Sequence, residues 1–379
     1  MRHASLNCIL SSAALLALTW SAAVARSDDD GNGANVYVQH NLVSDIAGMA
    51  DHTDTNLVNA WGIAHSPAGP WWVNANGAGL AIVYTSGGAL FPAVNPVMIP
   101  APGGGAGAPT GIVFNGSMDF QLAPVMPAMF LFVTEDGTVL GWNPMVNAHQ
   151  AVIKVNNSPA AVYKGATLGR MGGHLVLYVA NFRGGTVDAF DTNFNSITLP
   201  SGAFHDGNIP AGFAPFNVQN IDGSIFVTYA KQDALKHDDV PGPGLGYVDQ
   251  FTPEGRLVNR LQHGDWLNSP WGVVKAPGNF GKLSQRLLVG NFGSGQIAAF
   301  NAESGKFQSM MNDPNGKPVT IDGLWGLNFG NGFDAGAANV LFFAAGIQGE
   351  SHGLFGTLAP ATSGDGDDGD GEQGHGHHQ

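Results

Sequence analysis

Charge is scarce in this sequence: only 12% of its 379 residues are Asp, Glu, Lys or Arg. Cysteine is scarcer still. The single one, Cys8, lies near the start, so the rest of the chain has no thiol nucleophile and no disulfide framework. Beyond the N-terminus no stretch shows the 3.6-residue apolar period of an amphipathic helix. No basic cluster could follow a phosphate backbone, and the formal net charge is −14, so nucleic-acid binding is disfavoured. There is no G-x-S-x-G nucleophile elbow, no phosphate-cradling G-x-x-x-x-G-K-[ST] and no H-E-x-x-H pair.

What is abundant is glycine and aromatic residue: 55 Gly, 22 Phe and 8 Trp beside 22 Pro, with 44% of the chain hydrophobic. Glycine at this level without a Gly-X-Y period, in a chain so rich in Phe and Trp, indicates many turns between short strands.

Residues 1–25 have the form of a secretory signal. A weakly basic start at Arg2 and His3 leads into an apolar run from Cys8 to Thr19, and Ala23-Val24-Ala25 supplies an A-x-A cleavage site. The run is shorter than the about 18–20 residues a membrane span needs. The expected address is therefore export, to periplasm or medium. Residues 26–35 are a polar linker. Residues 361–379 contain mostly Gly, Asp, Glu and His, a composition that cannot bury a core and predicts a disordered tail.

Between them, one phrase returns six times, in full in the first five copies: an apolar run with Trp-Gly or its equivalent, a second run ending in Asn or Thr, a third ending in an aromatic residue, then a weaker fourth. Taking Trp61, Thr110, Ala166, Phe216, Trp271 and Trp325 as anchors, the period is roughly 50 residues, the length of a four-stranded propeller blade. The sixth copy lacks a fourth strand, while an unassigned strand, residues 36–42, precedes the first. The expected fold is all-β: a six-bladed β-propeller over 36–360, with the N-terminal strand closing the last blade and covering an edge that would otherwise be open.

The phrase Pro270-Trp271-Gly272-Val273, followed by a run ending at Asn291 and by Gly295-Gln296-Ile297-Ala298-Ala299-Phe300, resembles the NHL-type repeat of six-bladed propellers. Three further phrases resemble a family of exported bacterial propellers whose activity is unassigned. They are Asn41-Leu42-Val43-Ser44-Asp45, Asn59-Ala60-Trp61-Gly62-Ile63 and the stretch from Lys236 to Gly244. The resemblance implies the fold and export, and leaves the chemistry open.

In a propeller the inner strand starts from one channel mouth and the second strand returns to it, so the loops between strands two and three rim that mouth. This places Asn74, Asn181 and Asn291 at the ends of second strands, with Glu135, Asp136, Arg183, Glu350 and His352 in rim loops. The longest rim loop, 231–245, is a charged insertion carrying Lys231, Asp233, Lys236, His237, Asp238 and Asp239. Loops presented by a rigid scaffold are where specificity usually sits. The leading expectation is a binding scaffold that offers this mouth to a small molecule, glycan or protein.

The alternative is enzymatic. Asn59, Asn217, Asn268 and Asp322 stand before inner strands, and a ring of such oxygens suits Ca²⁺. Similar-looking propeller lactonases use a central ion to polarise substrate. Asn and Asp in these positions also satisfy turn backbone groups, so both readings stand. A quinone-dependent dehydrogenase is disfavoured by the missing basic cluster for a carboxylated cofactor.

Overall fold

The structure is a computed structural model and describes residues 35–361 apart from Ala93 and Asn95. The proposed signal, most of the linker and the tail lie outside the described residues. Six sheets form six blades, and the inner strands are Ala60–Ala64, Pro109–Phe114, Tyr163–Met171, Phe213–Ile221, Pro270–Lys275 and Leu324–Phe329. Each inner strand packs against the next, and the last packs against the first, so the ring is closed. Among the described residues no helix is long and apolar enough to cross a membrane.

The closure is the one the sequence predicts. Tyr37–Ser44 lies antiparallel on Leu354–Pro360, with Tyr37 opposite Pro360 and Ser44 opposite Leu354. The strand extends two residues beyond the expected end at Leu42, with a register shift between Asn41 and Val43 that lets it bend around the rim. Tyr37 fastens it further: its buried hydroxyl donates to Phe280 O (2.9 Å) and accepts from Leu283 N–H (2.9 Å), tying blade six to blade five.

The recurring Trp-Gly pair has a geometric cause. Every inner strand has a register irregularity against its second strand at the same place: around Trp61, Thr110, Lys164, Phe216, Trp271 and Trp325. A bulge re-aims a side chain, and here each blade turns one residue toward the channel axis. Trp61, Phe216, Trp271 and Trp325 pack there with Phe182 and Phe292 as a buried aromatic plug. The next residue must let the neighbouring strand come close. A Cβ on Gly62 would stand 2.2 Å from Thr110 O, and one on Gly326 would stand 2.6 Å from Trp61 O.

This register corrects one anchor. In blade three the axial position belongs to Lys164, followed by Gly165; Ala166, the expected equivalent of Trp61, lies two residues further along. One of the six axial side chains is therefore charged.

Candidate functional site

Lys164 is 2% exposed, although lysine is a residue almost never fully buried without a partner. Its ammonium pairs with Glu135 and with Asp238 Oδ1 (3.3 Å), and it lies 5.1 Å from the centre of the Trp61 ring. Phe182 provides a second ring at 6.0 Å. Burial alone would lower this amine's hold on its proton. Glu135 and Asp238 outweigh that cost and hold the group above its ordinary range, so it is a fixed positive charge.

Around it runs a chain of hydrogen bonds crossing three blades. Asn76 Nδ2 donates to Glu135 Oε2 (2.9 Å), and Asn59 Nδ2 donates to both Asn76 Oδ1 (3.2 Å) and Glu350 Oε2 (3.1 Å). Asn59 is itself fixed by Trp325 of the plug, whose indole N–H donates to Asn59 Oδ1 (3.2 Å). On the other side His237 Nδ1 meets Asp238 Oδ1 at 2.8 Å.

The inserted rim loop reaches the axis because it is pinned along its length. Asp233 Oδ1 accepts His237 N–H (2.8 Å), Asn268 Oδ1 accepts Gly242 N–H (2.7 Å), and Val240 N–H bonds Lys231 O (2.8 Å).

The electrostatics follow from four carboxyl groups crowding one ammonium. Burial pushes Asp238 up, but Lys164 and His237 pull it below the ordinary carboxylate range. Asp239 is raised by burial against the pull of Lys164. Glu350 is raised to about 7 by burial, with Lys164 opposing and Glu135, Asp238 and Asp239 reinforcing.

Of the expected ligand-binding residues, Glu135, His237, Asp238 and Asp239 come together here. The others do different work. Asn74 Nδ2 donates to Thr110 O across two blades, while Asn181 and Asn291 brace the turns after their strands. Arg183 bonds Pro159 O, Asp233 caps the rim loop, and Lys231 and Lys236 face solvent.

Each of the four residues expected around a calcium ion has an oxygen engaged by a separate donor. Asn59 Oδ1 accepts from Trp325, Asn217 Oδ1 from Val218 N–H (2.8 Å), Asn268 Oδ1 from Gly242, and the exposed Asp322 from Gln348 N–H (2.7 Å). Asn217 also fills the place glycine holds in the other inner strands, its Nδ2 donating to Trp271 O (2.8 Å).

Sequence reasoning missed Lys164 and Asn76. The signal for Lys164 was present: a lysine directly before the glycine of an otherwise apolar inner strand.

Beneath the plug, on the other side of the channel, lies a separate cavity of about 150 Å³. It is lined by His65, Thr167, Asn217, Gln219 and Asn328 among apolar residues, and no carboxylate or ammonium faces it.

Comparison with known proteins places the chain. No family model matches it. It is 31% identical over 333 residues to an uncharacterised protein of Acanthamoeba polyphaga mimivirus, covering 84% of this chain and 78% of that one. A second mimivirus protein, also uncharacterised, is 30% identical over 295 residues, covering 76% and 77%. The chain belongs to their family. Among solved structures the family's ring is similar to the soluble aldose sugar dehydrogenase of Escherichia coli (12% identity, TM-score 0.53, 86% of this chain and 100% of that one). It is also similar to the α-L-arabinofuranosidase of Fusarium graminearum (11%, 0.52, 86% and 98%). At these identities the likeness is one of fold alone.

Proposed function

We propose that this chain is an exported ligand-binding propeller whose charged mouth takes a small organic cation, an amine or ammonium compound. The observation that carries this is the excess of carboxylate at the axis. Glu135, Asp238, Asp239 and Glu350 surround Lys164, the one buried lysine or arginine among the described residues. Two unit charges 4 Å apart at an effective dielectric of 20 interact by about 4 kcal/mol. An anionic ligand would meet that opposition from several groups at once, whereas a cation would meet matching attraction. Five of the six plug rings are buried and Phe292 is partly so, which argues against recognition by aromatic contact.

Export rests on the form of residues 1–25 and is part of the same proposal.

A metal-dependent hydrolase is the second reading, and one observation favours it. Glu135, His237 and Asp238 offer ligand atoms within 4.8 Å of one another. Against it, the Glu135 and Asp238 oxygens that would ligate the ion are already engaged by the Lys164 ammonium.

The test is a thermal-shift and calorimetric series with 1,5-diaminopentane, choline, acetate and Ca²⁺. Selective binding to the folded state raises its stability by about 2.7 kcal/mol at a hundredfold excess over Kd. A rise with the amines and none with acetate supports the proposal. A rise with Ca²⁺ alone, abolished by chelator, replaces it with the metal reading.

A further inference from the structure

Glu350 is carried by a costly piece of backbone. Gln348, Gly349 and Glu350 have φ of 53°, 64° and 66°, three successive left-handed residues. For a residue other than glycine that conformation is disfavoured, because Cβ crowds the following carbonyl oxygen. The turn is held in place by Asp322, whose carboxylate accepts Gln348 N–H (2.7 Å), and by Glu350 N–H bonding Gly346 O (3.2 Å). Its partner across the mouth, Asn59, is also left-handed (φ 50°). One 3.1 Å hydrogen bond therefore joins two non-glycine residues that each occupy a disfavoured conformation. Such strain persists only where the surroundings over-determine it, and it concentrates at ligand contacts and switch regions.

A purely structural role does not call for a carboxylate here. Glutamine at 350 would accept the same bond from Asn59 without bringing a charge toward Glu135, Asp238 and Asp239.

The charged and titratable groups packed around Glu350 come from every side. Glu135 stands on the turn of blade two and Lys164 on the inner strand of blade three. Asp238 and Asp239 stand on the rim loop, where His237 is engaged by Asp238 (2.8 Å), and on its own turn His352 is occupied by Asp45 (2.7 Å). Three carboxyl groups oppose the ionisation of Glu350, and a single ammonium favours it.

We propose that Glu350 sets the charge selectivity of the mouth, a ligand cation binding beside it with release of the Glu350 proton to solvent. This rests on the cation-binding reading above. The carboxylate left behind then accepts an N–H from the ligand, so an amine or ammonium replaces the proton one for one. Burial and crowding, which lift this group to about 7, make the exchange responsive to ordinary pH changes.

The experiment is calorimetry with 1,5-diaminopentane at pH 6.5 in buffers of different ionisation enthalpy, on wild type and Glu350→Gln, a substitution that preserves shape. Wild type should release more than about half a proton per ligand and bind roughly tenfold more tightly at pH 8 than at pH 6. E350Q should release close to none and lose that pH dependence. If E350Q binds with the same proton release, the assignment to Glu350 is overturned while the cation reading stands. If the diamine gives no heat with wild type at any pH, the cation reading itself fails and this proposal with it.

Discussion

The ammonium of Lys164 lies 5.1 Å from the centre of the Trp61 indole, at the point where the aromatic plug meets the polar mouth. A cation over an aromatic face gains about 0.5–2 kcal/mol, too little to offset burying a charge, so Glu135 and Asp238 must carry most of the compensation.

Lys164→Met should therefore destabilise the protein by about 3 kcal/mol, because it leaves Glu135 charged without a counter-ion. Adding Glu135→Gln should recover a large part of the loss. Urea denaturation of the single and double variants checks it; equal stabilities for K164M and K164M/E135Q would show that the pair does not matter to the fold.

Asp249 supplies a pH prediction away from the mouth. Burial raises it to about 7, helped by neighbouring Asp206 and opposed by Arg260. Its folded-state value lies above its unfolded one, so its contribution is complete below about pH 4 and is lost as pH rises through 7. Glu350 acts in the same direction over the same window. Asp249→Asn should remove much of the decline, leaving the variant more stable than wild type at pH 8 by up to roughly 4 kcal/mol. Melting curves from pH 4 to 8 decide it, and parallel curves for the two proteins would refute the assignment.

Gly326→Ala should be strongly destabilising for the addition of a single methyl group. The new carbon would meet Trp61 O at 2.6 Å, backbone that belongs to the neighbouring inner strand and cannot swing aside. A cost of about 3 kcal/mol is expected. Gly223→Ala is the comparison: nothing lies within 4 Å, and only its left-handed φ of 84° is penalised.

Removing residues up to Ser44 should abolish cooperative unfolding or lower the midpoint steeply. It would strip the outer partner from Leu354–Pro360 and open an unpaired edge. Circular dichroism and light scattering on the truncated protein test this, and retention of a wild-type melting curve would contradict it.

Much of the ring was legible before any coordinates. Six repeats, four strands each, and the N-terminal strand closing the last blade all follow from apolar runs and turn residues, which report local structure directly. The site was legible only in part, for two physical reasons. Matching apolar with apolar put Ala166 in line with Trp61, whereas the strands are aligned by close backbone approach. Glycines 62, 111, 165, 272 and 326 are the better ruler, and they point to the residue before each. The second reason concerns the calcium set: an Asn before a strand looks the same in sequence whether its oxygen faces a channel or a neighbouring N–H. Asn217 and Asn268 face N–H groups.

Because the first strand of the ring pairs along its length with the last, the order of synthesis works against completion. Tyr37 is among the earliest of the described residues to leave the ribosome, yet Pro360, its partner, is among the last. Until then the sixth blade lacks its outermost strand and the circle is open, exposing a sheet margin of the kind on which chains associate. A cell making this protein must keep that margin covered for almost the full duration of translation, or withhold folding until the whole chain is released.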